Sequence, residues 1–232
     1  MQISSLVIEV TRKCNMSCDH CLRGDAMNLN LKHKYIDSLL EQVSEIGNVT
    51  FSGGEPSLNL ETLEYFLSEV KRLNIYVGSF YIATNGLVVS EKFVMFCLKM
   101  YSYCEMKEDC KVDVSNDIYH EQEGDFDIDL LSGLSFFGRK FEKDGYNYRH
   151  GKVSMLINEG RSSDGNGHNV TVYDIESMDD FNGATIYLNC KGEIINGCDW
   201  SYVSQSKYKL CNVSELTAFF EKIEAYELEL HF

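Results

Sequence analysis

Three cysteines near the start of the chain stand in the run Cys14-Asn15-Met16-Ser17-Cys18-Asp19-His20-Cys21. They follow an apolar, strand-like stretch, Leu6 to Val10. Three thiolates this close, with no fourth nearby, suit a 4Fe–4S cluster that leaves one iron without a protein ligand. A closed structural site takes four ligands, so an open iron is a place for chemistry. The rival from the cysteines alone is a zinc knuckle completed by His20 or by a distant residue.

Other residues that could serve chemistry follow in order. Gly53-Gly54-Glu55-Pro56 comes after the strand-like Val49-Thr50-Phe51-Ser52, and Pro56 is the chain's one proline. Glycines let a backbone approach a ligand closely, because no Cβ intervenes. Thr84-Asn85-Gly86 follows Phe80-Tyr81-Ile82-Ala83, and by itself is an Asn-Gly turn. Ser115-Asn116-Asp117 follows Val112-Asp113-Val114, and by itself is also compatible with a helix cap.

Taken together, these motifs resemble the radical S-adenosylmethionine (radical SAM) superfamily. The cysteine run resembles its CxxxCxxC signature, with His20 where an aromatic residue is usual. The resemblance implies a 4Fe–4S cluster held by Cys14, Cys18 and Cys21, with His20 beside it. SAM would chelate the open iron through its amino and carboxylate groups. Electron transfer would then cleave the sulfonium and release a 5′-deoxyadenosyl radical. Gly53, Gly54 and Glu55 would bind the methionine amino group. Asn85, Ser115 and Asp117 would make further SAM contacts.

These motifs must be positioned, and the elements that do so are legible. Strand-like and helix-like stretches alternate through the first half. Leu6–Val10, Val49–Ser52, Phe80–Thr84 and Val112–Ser115 read as strands. Between them, Ile36, Leu39, Leu40, Val43 and Ile46 recur at helical spacing. Leu60, Leu63, Phe66, Leu67 and Val70 do the same, and Phe93–Met100 reads as a third helix. Such a βα repeat predicts a parallel α/β sheet, and every motif falls at a strand's C-terminal end, where such folds place their sites. The family resemblance implies a partial (β/α)6 barrel.

After His120 the pattern weakens. Ser135–Phe137 and Val153–Ile157 are candidate later strands. Asn158 to Asn169 reads as a polar loop, a lid or a plain surface connection. Thr185–Cys190 and Glu193–Ile195 flank Lys191-Gly192 as a two-residue hairpin. Leu216, Phe219, Phe220 and Ile223 line one face of a closing helix. We therefore divide the chain into a core, 1–183, and a small C-terminal hairpin-plus-helix extension, 184–232. The hairpin and the cysteine after it resemble the start of a SPASM or twitch extension, which binds auxiliary clusters. Cys190, Cys198 and Cys211 are too few for a full SPASM domain, with Cys104 or Cys110 candidates to complete a site; buried structural thiols are the alternative. Cys97 lies in an apolar run and reads as core.

Composition sets bounds. With 232 residues, 44% of them hydrophobic, the chain can bury a sizeable core. Nine cysteines point to metal ligation in a reducing, cytoplasmic setting rather than to disulfides. Neither a signal peptide nor a membrane-spanning run is evident. The net charge of −15 argues against a nucleic acid partner. Yet Arg12, Lys13, Arg23, Lys32 and Lys34 gather around the cysteines, as ordinary solvated charge or as a docking patch for an acidic electron donor such as flavodoxin or ferredoxin. The substrate is read as a peptide or protein, with a small metabolite as the rival. A non-catalytic iron–sulfur or zinc module is the rival of another class.

Overall fold

The computed structural model describes residues 1–115, 129–140, 156–163, 169, 170, 172, 175 and 185–230. Its centre is strand β1, Gln2–Thr11, buried along almost its whole length. A strand covered on both faces must be nearly continuous in apolar side chains, and Leu6–Val10 supplies that run. Strands β2 (Glu45–Gly53), β3 (Tyr76–Thr84), β4 (Lys111–Ser115) and β5 (Phe137–Lys140) extend the sheet from it in parallel. On the other side of β1 lies β6, Thr185–Leu188, also parallel, followed by antiparallel β7 (Glu193–Asn196) and β8 (Lys209–Asn212). The sheet therefore runs β5-β4-β3-β2-β1-β6-β7-β8. This is the expected α/β architecture of a partial barrel with a C-terminal hairpin and helix.

Helices α1 (His33–Leu40), α2 (Leu60–Arg72) and α3 (Glu91–Tyr103) connect the first strands. A one-turn helix, α4 (Asp129–Ser132), precedes β5, and α5 (Leu216–Leu230) closes the described chain. Side chains alternate across each strand. Leu6, Ile8, Val49, Phe51, Phe80 and Ile82 thus share a core with Leu39, Leu63, Phe66, Phe93, Phe96 and Met100. Phe51 meets Phe66 and Phe96 edge to face, at 5.2 and 5.7 Å between ring centroids. The alternate residues Ser5, Val7, Thr50, Ser52, Tyr81, Ala83, Ser115 and Thr185 face the opposite side and line a cavity.

Local chemistry explains the element ends. Ser90 caps α3 by accepting from the Phe93 amide. Helix α2 carries Glu61 in its first turn and Lys71 and Arg72 in its last, complementing its dipole. Asn74 turns the chain out of α2 at a φ of 55°, a conformation that Asn tolerates.

Several sequence expectations need correction. The apolar spacing from Ile36 does not continue as one helix: α1 stops at Leu40, and Ile46 belongs to β2. An inward-facing strand residue happened to fall in helical register. The turn between β6 and β7 spans 189–192 rather than two residues, because the Asn189 side chain accepts from the Lys191 and Glu193 amides. Of the candidate strand Val153–Ile157, residues 153–155 lie outside the described residues, and Leu156 and Ile157 join none of the eight strands. Part of the 158–169 loop, 164–168, also lies outside them. Among the described residues no helix is long and apolar enough to cross a membrane.

Candidate functional site

Beyond Thr11 the chain leaves β1 and forms the cysteine loop. Cys14, Cys18 and Cys21 are half-buried and line one cavity of about 500 Å3, together with Met16 and His20. The loop is tightly turned: Cys21 N–H donates to Cys18 O at 3.1 Å, and Gly24 N–H to Cys21 O at 3.2 Å. Burial pushes the Cys14 thiol up; a Met16 backbone hydrogen bond opposes this, and Glu55 and the two other thiols add to it. The thiols are near enough to feel one another. As they stand they share a wall without forming a closed ligand set: among the described residues no three His, Cys, Asp or Glu side chains are arranged to hold a metal ion. The donor chemistry fits an iron–sulfur cluster, which takes thiolates, and the cavity beside them leaves room for a further ligand.

The β2–β3 wall is built from backbone. Gly54 N–H donates to Thr11 O and Glu55 N–H to Lys13 O, both at 2.8 Å. Gly53 has a φ of 148°, and a Cβ there would collide with the Thr11 carbonyl; one on Gly54 would collide with that of Lys13. The glycines thus admit the chain's own cysteine loop as well as facing the cavity. Glu55 is buried and accepts three hydrogen bonds. Its Oε1 accepts from Thr84 Oγ1 at 2.7 Å and from Ser57 N–H at 3.0 Å, and its Oε2 accepts from Asn85 N–H at 2.8 Å. Asn85 Nδ2 donates to Asn15 Oδ1 in the loop at 2.8 Å. The GGEP and TNG turns are therefore joined to each other and to the loop. Ser115 also lines the cavity, at the end of β4. Asp117 lies outside the described residues.

The opposite wall went unread in the sequence. Glu9 is fully buried in β1 and bonds Arg12 Nε (2.6 Å), Tyr187 Oη (2.7 Å), Gln205 Nε2 (2.8 Å) and Cys190 N–H (3.0 Å). Burial works to raise its pKa, but the Arg12 charge and these hydrogen bonds prevail and leave it lowered. A carboxylate interrupting the apolar run Leu6–Val10, with an arginine three residues on, was the available signal. Arg12 is 1% exposed, so it belongs to no docking patch. Arg23 is likewise engaged, donating to the carbonyls of Trp200 and Cys198 at 2.6 and 2.5 Å. The basic cluster read from sequence thus loses two of its members to internal structure, and Lys32 and Lys34 remain exposed.

The remaining cysteines are dispersed. Cys190 is buried and donates to Glu9 O at 3.1 Å. Cys198 lines the cavity beside Asp199, and its thiol is pushed up to about 11 by burial, then by Asp199. Cys211 packs in the core. Cys104 follows the end of α3 and Cys110 immediately precedes β4, at the end of the sheet away from the cysteine loop, and the two interact with each other. They do not complete a site with the C-terminal cysteines. Cys97 is core, as expected.

An α/β partial barrel with a three-cysteine loop and glycine turns at the C-terminal ends of its strands defines a recognisable class. Residues 8–100 match the family model of the Radical SAM superfamily. It is similar to the PqqA peptide cyclase of Gluconobacter oxydans, 34% identical over 94 residues, 38% of this chain and 25% of that protein. It is also similar to a probable GTP 3′,8-cyclase of Pyrococcus horikoshii, 30% identical over 97 residues, 39% of this chain and 30% of that one. The chain thus spans about a quarter to a third of the length of these curated relatives. Among solved structures it resembles BtrN in an open conformation, with a TM-score of 0.54 at 14% identity over 97% of this chain and 83% of that one. It also resembles anSMEcpe with bound AdoMet and a Cp18Cys peptide, with a TM-score of 0.51 at 14% identity over 95% and 80%. These two likenesses concern the fold.

Proposed function

We propose that this protein reductively cleaves SAM at a 4Fe–4S cluster held by Cys14, Cys18 and Cys21, and abstracts hydrogen from a substrate, a peptide in our reading. The observation that carries this is convergence: the three thiols, the GGEP turn and the TNG turn all open onto one cavity. When bound, the cluster and SAM would supply an electron and a 5′-deoxyadenosyl radical. The chain's own residues do the positioning. Gly53 and Gly54 bring the turn against the loop, and Glu55 locks that turn to Thr84 and Asn85. His20, Asn85 and Ser115 border the space left for SAM, with Asp117 a further contact by motif. The apolar Val7, Met16, Leu22 and Ala83 in the lining would limit the water that reaches a bound radical.

A peptide substrate is supported by the similarity to the PqqA peptide cyclase. The similarity to the probable GTP 3′,8-cyclase favours a small metabolite as the second reading. We place the protein in a reducing, cytoplasmic setting with flavodoxin or ferredoxin as reductant, and keep 1–183 as the catalytic core and 184–232 as its extension.

The test is anaerobic reconstitution. The wild-type chain should bind four irons per protein and form 5′-deoxyadenosine from SAM under dithionite. The variant with Cys14, Cys18 and Cys21 all replaced by Ala should form none. Iron uptake without SAM cleavage would instead mark a non-catalytic module. Retained cleavage in the triple variant would remove the cluster assignment.

A further inference from the structure

Two arginines bracket the cysteine loop, and both turn into the same C-terminal stretch. At the entry, Arg12 donates through Nε to Glu9 and through Nη2 to Gln205 Oε1 at 2.5 Å, with the Tyr202 ring 4.4 Å from its guanidinium carbon. At the exit, Arg23 donates to the carbonyls of Cys198 and Trp200, with the Tyr187 ring at 4.8 Å. Tyr202 N–H closes the arrangement by donating to Arg23 O at 3.1 Å. Glu9, the anchor for the entry, is itself bonded by Tyr187, Cys190 and Gln205.

We propose that residues 187–205 are a clasp that fixes both ends of the cysteine loop, and that Arg12, Arg23 and Gln205 are positioning residues for Cys14, Cys18 and Cys21. The proposal deepens the cluster assignment and rests on it. A loop free at one end samples many conformations, and ordering it costs ligand affinity. A loop fixed at both ends presents its thiols in few arrangements before any iron arrives. Arginine suits the task because its planar fork reaches two carbonyls at once, which a lysine ammonium on a flexible stem does less well.

The experiment uses the full chain and two readouts besides activity. In the metal-free, reduced protein, alkylation of the peptide carrying Cys14, Cys18 and Cys21 is timed against that of buried Cys97. In reconstituted protein, iron loss to a chelator is timed. Arg23→Met and Gln205→Ala should fold by circular dichroism, yet alkylate the three cysteines about tenfold faster and lose iron faster, since hydrogen bonds to a charged group are removed. Arg23→Lys should recover part of both. Tyr103→Phe removes a hydroxyl bonded to Val70 O and Ile75 O, outside the site, and serves as the control. It should lower the thermal midpoint and change neither rate relative to Cys97. Folded Arg23→Met and Gln205→Ala with wild-type alkylation and iron loss would overturn the clasp, as would equal acceleration in Tyr103→Phe. Should Arg23→Met not fold, Gln205→Ala and Arg23→Lys decide alone. If the wild-type chain takes up no iron, the cluster assignment fails, while the alkylation rates still decide the clasp.

Discussion

The cysteine loop is held from two sides, and the two sides use different physics. On the β2–β3 side the contacts are backbone to backbone, made possible by two glycines and locked by the Glu55 carboxylate. On the β6 side they are made by long side chains around a buried ion pair, Glu9 with Arg12. Backbone contact is local in sequence and needs small residues at fixed places, so it leaves a motif. A buried ion pair needs partners wherever the fold delivers them: Gln205 stands 193 residues from Arg12. The first wall is stiff and tolerates little change in shape. The second is held by charge, and is vulnerable to the loss of any one partner.

The largest effect should come from breaking that charge. Glu9→Ala leaves Arg12 buried without its anion and should destabilise the chain by about 3–5 kcal/mol, read from urea unfolding. A loss below about 1 kcal/mol would mean that Gln205 and Tyr202 suffice for Arg12, and the second wall would not be electrostatic.

The stiff wall is tested by shape. Gly54→Ala forces a Cβ against the Lys13 carbonyl, and should cost about 1–3 kcal/mol through backbone displacement. It should also lower iron uptake. A stable Gly54→Ala protein with full iron uptake would show that the loop can step away from the turn freely.

A smaller loss is expected from Glu55→Gln, about 1–2 kcal/mol, because the amide nitrogen faces a donor where the carboxylate accepted. Thermal unfolding of Glu55→Gln beside Glu55→Ala separates hydrogen bonding from packing. If Gln matches wild type, the three bonds to Glu55 are not all formed.

The mildest probe is acid. The folded pKa of Glu9 lies below the ordinary carboxylate value of 4.5. Its contribution to stability is therefore complete above about 4.5 and fades as pH falls through the folded value. The stability gap between wild type and Glu9→Gln should be flat above that value and narrow below it. A gap that widens in acid would reverse the sign assigned to Glu9.

Legibility in the sequence follows the same division. Strands β1 to β4 and helices α2 and α3 showed themselves because apolar spacing is a local property. The Cys14 to Cys21 run and the Gly53 and Thr84 turns were visible because function there depends on residue type at short range. Glu9 and Arg12 were in plain view, but Glu9 passed as part of the apolar strand and Arg12 as solvated charge or a docking residue. Only the long-range arrival of Tyr187, Cys190 and Gln205 makes burial of the pair affordable. The helical spacing through Ile46 misled because a single strand residue can satisfy two periods. The position of Cys198 on the cavity wall depends on β6 joining β1, a pairing that no local pattern announces.

That pairing also has a consequence in time. Contacts between β1 and β6 and between Arg12 and Gln205 are among the most distant in the chain. During synthesis, N-terminus first, the cysteines leave the ribosome long before Gln205. At roughly 5–20 residues per second the delay over that separation is about 10–40 s. For that interval β1 has its motif-bearing neighbours available but a free edge where β6 will lie. The nascent cysteine loop is then secured on one side only, with its thiols open to oxidation or to the wrong metal. A loop secured on both sides is therefore available only once residues 187–205 have been made and have docked against β1 and Arg12.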